Sequence, residues 1–244
     1  MEPFKQKFED IKESENPDHI NDFLIKLSES PNIEYLIILD YFIDNLDIQI
    51  LEKVKLNLVF LIGEIANLST IDTKYLDFLS KTYNSSDRWV RDEVIQAIRK
   101  IAKKTVIGER IIKLVGYAIN DDYPPIRINA LKTLVVLERL PLFVWKNIFL
   151  VLNSKNSELE AISANVFDKF LPDFHQLFKL LKYLDNYKIL KPNAIRFLLL
   201  IYFRTPFNLE SFRESIATSD WEIEYKKIYL QEIDIYEKIL LKSL

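Results

Sequence analysis

One phrase of sequence returns at a fixed distance of 36 residues, and that period restricts the fold more than any other feature. It reads Val54-Lys55-Leu56-Asn57-Leu58, then Val90-Arg91-Asp92-Glu93-Val94, then Ile126-Arg127-Ile128-Asn129-Ala130. A period of this size belongs to stacked helical hairpins. A single hairpin cannot bury its apolar faces alone, so copies must pack on one another. Only three glycines and nine prolines punctuate the chain, which disfavours a many-stranded β fold with its frequent turns.

The copies continue with looser spacing. Leading apolar positions fall at Val54, Val90, Ile126, Leu159, Leu190 and Trp221, separated by 36, 36, 33, 31 and 31 residues. Four residues on stand Leu58, Val94, Ala130, Ser163, Ala194 and Tyr225. Eight on stand Ile62, Ile98, Leu134, Phe167, Leu198 and Tyr229. Eleven on stand Ile65, Ile101, Leu137, Phe170, Ile201 and Glu232. Offsets of 0, 4, 8 and 11 share one stripe of a helix, so each second helix is expected to bury that stripe. A further column, five on, holds Val59, Ile95, Leu131, Ala164 and Ile195 before turning polar at Lys226, as a terminal cap would.

Turn residues mark the joints: 84–87, 120–122, 153–157 and 218–220 are rich in Asn, Asp and Ser. Each offers a capping side chain ahead of a second helix. The spacing predicts helix pairs at 32–44 and 48–67, 71–83 and 87–104, and 106–119 and 124–138. Further pairs are predicted at 141–152 and 157–170, 172–184 and 191–203, and 208–217 and 220–241. Ahead of them, 4–12 and a helix opened by Pro17, with Ile20, Phe23, Leu24 and Leu27 on one face, form a capping hairpin. No linker-like stretch divides the chain. The expectation is a single domain over 1–244: cap 1–30, repeats 31–203, and a C-terminal hairpin and cap 204–244.

Asp121 to Leu134 resembles a HEAT repeat, with its turn aspartate and proline ahead of the Ile126-Arg127 pair and a helix carrying small residues. Asp87 to Ala102 resembles it nearly as well. At the arginine position Lys55, Glu160, Lys191 and Glu222 stand in the other copies, so the specific residues cover about 50–140. The resemblance implies an all-α, right-handed solenoid of about seven antiparallel hairpins, with a concave surface lined by second helices. It implies no single activity, because such arrays serve as adaptors, transport receptors, regulatory subunits and occasionally enzymes.

Charge is unevenly placed. The balance is −9 over residues 1–87, +5 over 88–139 and +1 over 140–244. Within the basic stretch Arg88, Arg99 and Lys103 project from one side of a helix, with Lys132 and Arg139 further on; together they are candidates for an acidic partner. An ordinary solvated face is the alternative. Arg91 and Arg127 lie beside the apolar stripe. They form either a basic ladder or a structural one pairing with turn carboxylates such as Asp87 and Asp121, or with turn carbonyls. The resemblance favours the structural role.

Catalytic signatures are missing from the sequence. There is no cysteine, the two histidines His19 and His175 stand apart from any ligand-spaced partner, and Gly63, Gly108 and Gly116 are isolated. No cofactor or metal is expected. The enzymatic alternative is a nucleic-acid-binding protein resembling HEAT-like alkylpurine DNA glycosylases. Asp87 lies near Trp89 and Asp220 precedes Trp221, but the Trp-Trp-Asp motif of that family is absent and both tryptophans read as packing residues. The net charge of −3 also weighs against nucleic acid.

Met1 to Glu15 lacks the apolar core of a signal peptide, and Phe197 to Phe203 is far too short to span a membrane. The expectation is a cytoplasmic, non-enzymatic scaffold or adaptor holding a protein or peptide along the groove of second helices. The final helix carries apolar residues on more than one face (Ile223, Ile228, Ile233, Ile235, Ile239, Leu240), which points to a homodimer contact or to fold-back on the preceding hairpin.

Overall fold

The structure, a computed structural model, describes residues 2–203 and 206–242. It is all-helical, with no strand among the described residues. In chain order the helices are α1 (Glu2–Ser14), α2 (Pro17–Glu29), α3 (Leu36–Asn45), α4 (Ile48–Ala66), α5 (Thr73–Asn84), α6 (Arg88–Ala102) and α7 (Glu109–Ala118). There follow α8 (Pro124–Val136), α9 (Leu142–Leu152), α10 (Ser157–Phe170), α11 (Phe174–Lys182), α12 (Pro192–Tyr202), α13 (Pro206–Ala217) and α14 (Ile223–Lys242). These limits fall within a few residues of those read from the spacing.

Of the joints marked in the sequence, 84–87 and 153–157 supply the caps Asp87 and Asn156, whereas α8 opens at Tyr123 with no side-chain cap after the 120–122 turn. Asn16, Asp47, Asp72, Asp87, Asn156 and Asp173 each accept the backbone N–H two residues on, opening α2, α4, α5, α6, α10 and α11. Each such cap is worth about 1 kcal/mol against alanine, because it satisfies a donor the helix leaves orphaned.

The repeated columns are buried as their period requires. All six leading positions and all six positions eight residues on are buried. Burial loosens only toward the C-terminal copies, where Phe170, Ile201, Tyr225 and Lys226 are half-exposed. Glu232 breaks the chemistry of its column but not its position: it is 4% exposed. The side chains of Phe4, Phe207 and Leu240 lie outside the described residues.

The chain forms two compact units, 1–114 and 115–244, and the border falls inside α7 rather than in a loop. In the first unit α2, α4 and α6 lie side by side in chain order, with α3 and α5 against α4 and α5 against α6. Bonds between equivalent positions of neighbouring copies hold the row in register. Asn57 Nδ2 donates to Asn21 Oδ1 at 2.8 Å, and Lys100 Nζ lies 2.7 Å from Glu64 Oε1, each pair 36 residues apart. Between the first helices Tyr75 of α5 donates its hydroxyl to Asp40 of α3, and Arg110 of α7 pairs with Asp77 at 3.0 Å. Phe8 of α1 packs its ring on Phe23, Tyr41 and Phe42.

In the second unit α10 packs on α8 and α9, α12 on α9 and α14, and α13 on α11 and α14. Lys169 donates to the carbonyls of Val135 and Leu137 at 2.8 and 2.6 Å, tying α10 to the end of α8. Tyr236 donates to Phe203 O at 2.6 Å, and Arg196 of α12 forms a two-pronged pair with Glu232 of α14. The spacing alone predicted an uninterrupted helix to residue 184. Instead α11 stops at Lys182, and a 3-10 stretch Tyr183–Lys188 follows with Leu184 and Asp185 at φ of 48° and 54°. Asn186 Nδ2 donates to Leu180 O at 3.0 Å and holds this reversal, which places Tyr187 flat against Trp221 at 4.4 Å between ring centroids. Trp221 is therefore a packing residue, as read from its column.

Candidate functional site

The outward side of the row α2, α4, α6 carries apolar residues that the core does not use. At 100° per residue, Leu56 and Phe60 lie some 200° and 240° round α4 from Val54, on the side away from the buried stripe. They are 42% and 38% exposed, and Ile25 of the neighbouring α2 is 48% exposed. An ordinary solvated helix face would hold polar residues here. These three side chains instead border a groove of about 410 Å³, completed by Ser28, Glu29, Asn57 and Glu93.

The polar part of the groove has its own period. Asn21, Asn57 and Glu93 occupy one column, 36 residues apart on α2, α4 and α6. Asn57 bonds to Asn21, whose own amide donates to Lys53 O at 3.3 Å. Where the third asparagine would stand, Glu93 presents a carboxylate. Its Oε1 is buried and receives no hydrogen bond. The nearest cation, Lys100 Nζ, lies 3.8 Å from it, beyond hydrogen-bond reach. Lys100 is engaged elsewhere: it reaches Glu64 at 2.7 Å and passes 5.1 Å from the centre of the Phe60 ring. Burial raises the Glu93 carboxyl above the ordinary carboxylate range, with Lys100 opposing that rise.

A second cavity of about 460 Å³ lies among α3, α4 and α5, lined by residues that include Asp40, Asp44, Ile48, Lys74, Tyr75 and Phe78. Among its charged groups Lys74 Nζ sits 2.7 Å from Asp40, which also takes the Tyr75 hydroxyl. Among the described residues no group of three His, Cys, Asp or Glu is placed to hold a metal ion. His19 and His175 are each exposed, the latter resting on Phe174.

The residues singled out from sequence distribute as follows. Arg88 and Lys103 are exposed and Arg99 is half-exposed. They lie on the flank of α6 opposite Ala97, which faces α4, and line neither cavity. Lys132, on α8, and Arg139, in the loop after it, are exposed in the second unit. Asp87 caps α6, and Arg91 Nη1 donates to Ser86 O at 3.3 Å, so both serve the same turn. Asp121 Oδ1 accepts the Tyr123 N–H at 3.0 Å, while Arg127 has a buried Nε without a hydrogen bond. Trp89 departs from expectation. It is 57% exposed, with the Arg88 guanidinium 5.0 Å from its ring, because it points some 100° away from Val90.

Sequence reasoning passed over Ile25, Leu56, Phe60 and Glu93. The available signals were the outward apolar pair at i, i+4 and the acid interrupting the column Asn21, Asn57, Glu93 and Asn129.

No family model matches the sequence, and no curated protein is similar to it. Among solved structures the chain is similar to an engineered protein determined by the Northeast Structural Genomics Consortium. The TM-score is 0.52 at 13% identity, covering 96% of this chain and 98% of that one. The likeness concerns the fold alone. No helix among the described residues is long and apolar enough to cross a membrane.

Proposed function

We propose that the chain is a non-enzymatic interaction scaffold, built as an α-solenoid of HEAT-like repeats, that holds a segment of a partner protein on the outward face of α2, α4 and α6. The observation that carries this reading is the groove bordered by Ile25, Leu56 and Phe60. Apolar side chains gathered on one exposed face are costly in a solvated monomer unless another surface covers them. The solenoid reading draws support from the side-chain bonds between equivalent positions, Asn57 with Asn21 and Lys100 with Glu64.

The test uses immobilised wild-type protein and the variants Leu56→Asp and Phe60→Asp. Both positions are exposed enough for circular dichroism to stay unchanged. Partners retained by the wild type and lost from both variants, measured by quantitative mass spectrometry, are the expected result. Equal retention by all three proteins overturns the groove reading. Charge reversal of Arg88, Arg99 and Lys103 together serves as the contrast: these residues sit on the other flank of α6, so groove-dependent retention persists. If retention instead follows that flank, the basic patch is the binding surface. A salt-sensitive gel shift would assign that patch to nucleic acid.

A further inference from the structure

Resting on that reading, we infer that the groove on α2, α4 and α6 takes a basic amphipathic peptide segment, whose apolar side chains cover Ile25, Leu56 and Phe60 while one lysine or arginine head pairs with Glu93.

The geometry defines the occupant by what the groove lacks. Its apolar rim is complete, but its polar end is not. Both charged residues that line it, Glu29 and Glu93, are acidic. Glu93 Oε1 is buried without a donor, and a buried carboxylate oxygen left unmatched is a costly arrangement that a donor from outside would relieve.

The protein's own nearest donor does not close this gap. Lys100 is held at Glu64 and stays 3.8 Å from Glu93 Oε1. The cluster Glu64, Lys100 and Glu93 thus holds one cation against two carboxyl groups, and Glu29 adds a third acid at the rim. An acidic or phosphorylated segment would meet repulsion here. A neutral apolar one would cover Phe60 but leave Glu93 as it stands. A cationic head on a methylene stem satisfies both parts, since the stem lies along apolar surface while the head reaches the acid.

The neighbouring copies explain why the unmatched acceptor falls at this position. Asn57 donates to Asn21, whose own amide donates on to Lys53 O, because an amide both accepts and donates. Glu93 ends that pairing with a side chain that, once ionised, only accepts. The site therefore asks for a donor, and the surrounding charge asks for a positive one.

Peptide selection by phage display against the full-length protein tests this, with binding of selected peptides measured by fluorescence anisotropy. The expected peptides interleave apolar residues with lysine or arginine. They lose affinity at least about tenfold on Glu93→Gln, in line with loss of a charge-assisted hydrogen bond, and they also lose it on Phe60→Asp. Glu29→Gln, at the exposed rim, gives a smaller loss in the same direction and keeps the charge argument testable should Glu93→Gln perturb folding. Peptides that depend on Phe60 but carry no required cation, and that bind Glu93→Gln and Glu29→Gln as well as wild type, overturn this inference and leave the groove reading standing. Selection that yields no Phe60-dependent peptide overturns both.

Discussion

Gly63 of α4 faces Ala97 of α6 so closely that a Cβ at position 63 would stand 3.3 Å from the Ala97 Cα and 3.1 Å from Lys100 Cδ. The approach sets how near two neighbouring copies lie, and hence where Lys100 can reach.

Gly63→Leu is expected to destabilise the protein by about 1–3 kcal/mol through overpacking between α4 and α6. Gly63→Ala should fall within about 1 kcal/mol of wild type either way, because better helix propensity offsets a contact that is only slightly too tight. Urea denaturation of both variants measures the difference. A stable Gly63→Leu protein would mean that α4 and α6 do not pack at this distance.

The pair of Arg196 and Glu232 yields an ordering. Glu232 stands where other copies carry Ile65, Ile101 and Leu137, and it is buried, whereas the Arg196 side chain is 52% exposed. Arg196→Ala strands a buried carboxylate and should be strongly destabilising. Glu232→Leu restores the apolar column and returns the arginine to water, so it should be neutral or stabilising. Thermal melts of the two single variants compare them directly. The reverse order would place the stabilisation in the ion pair itself.

The two tryptophans read alike from sequence should separate. Trp221→Ala empties the stack formed with Phe178 and Tyr187 and should cost about 3–5 kcal/mol. Trp89→Ala removes a mostly exposed ring and should cost about 1 kcal/mol or less. Chemical denaturation of each variant decides the matter.

Glu93 makes stability fall with rising pH. Its carboxyl is raised in the folded state by burial, with Asp92 and Glu64 adding to the rise and Lys100 and Arg99 opposing it. The folded protein therefore binds the proton more tightly than the unfolded chain. The stability that this supplies is complete below the ordinary carboxylate range and is lost as pH rises through the folded-state value. Glu93→Gln lacks this linkage. The stability of wild type minus that of Glu93→Gln, measured in urea across a pH series, should decline through the window and then level off. A difference that is flat or rises with pH would contradict the burial of this carboxyl.

The 36-residue period and the apolar columns determined by themselves that the chain is helical, where its helices fall to within a few residues, and which stripe they bury. Burial of Val54, Val90 and Ile126 follows from periodicity because a helix repeats its facing every few residues, whatever lies beside it. The caps Asp87 and Asn156 were equally legible, since capping is a contact within a few residues of chain, though the turn before α8 offers Asp121 and Asp122 without capping the helix. Tertiary structure alone decided the groove. Periodicity states that Leu56, Phe60 and Ile25 point outward, but whether they share a surface depends on the register and closeness of α2, α4 and α6. That register is held by Asn57 with Asn21 and by the close approach at Gly63. The position of Glu93 is a matter of the same kind. An acid on a helix reads as solvated in one dimension, and its Oε1 becomes buried without a donor only once Lys100 is drawn across Phe60 to Glu64.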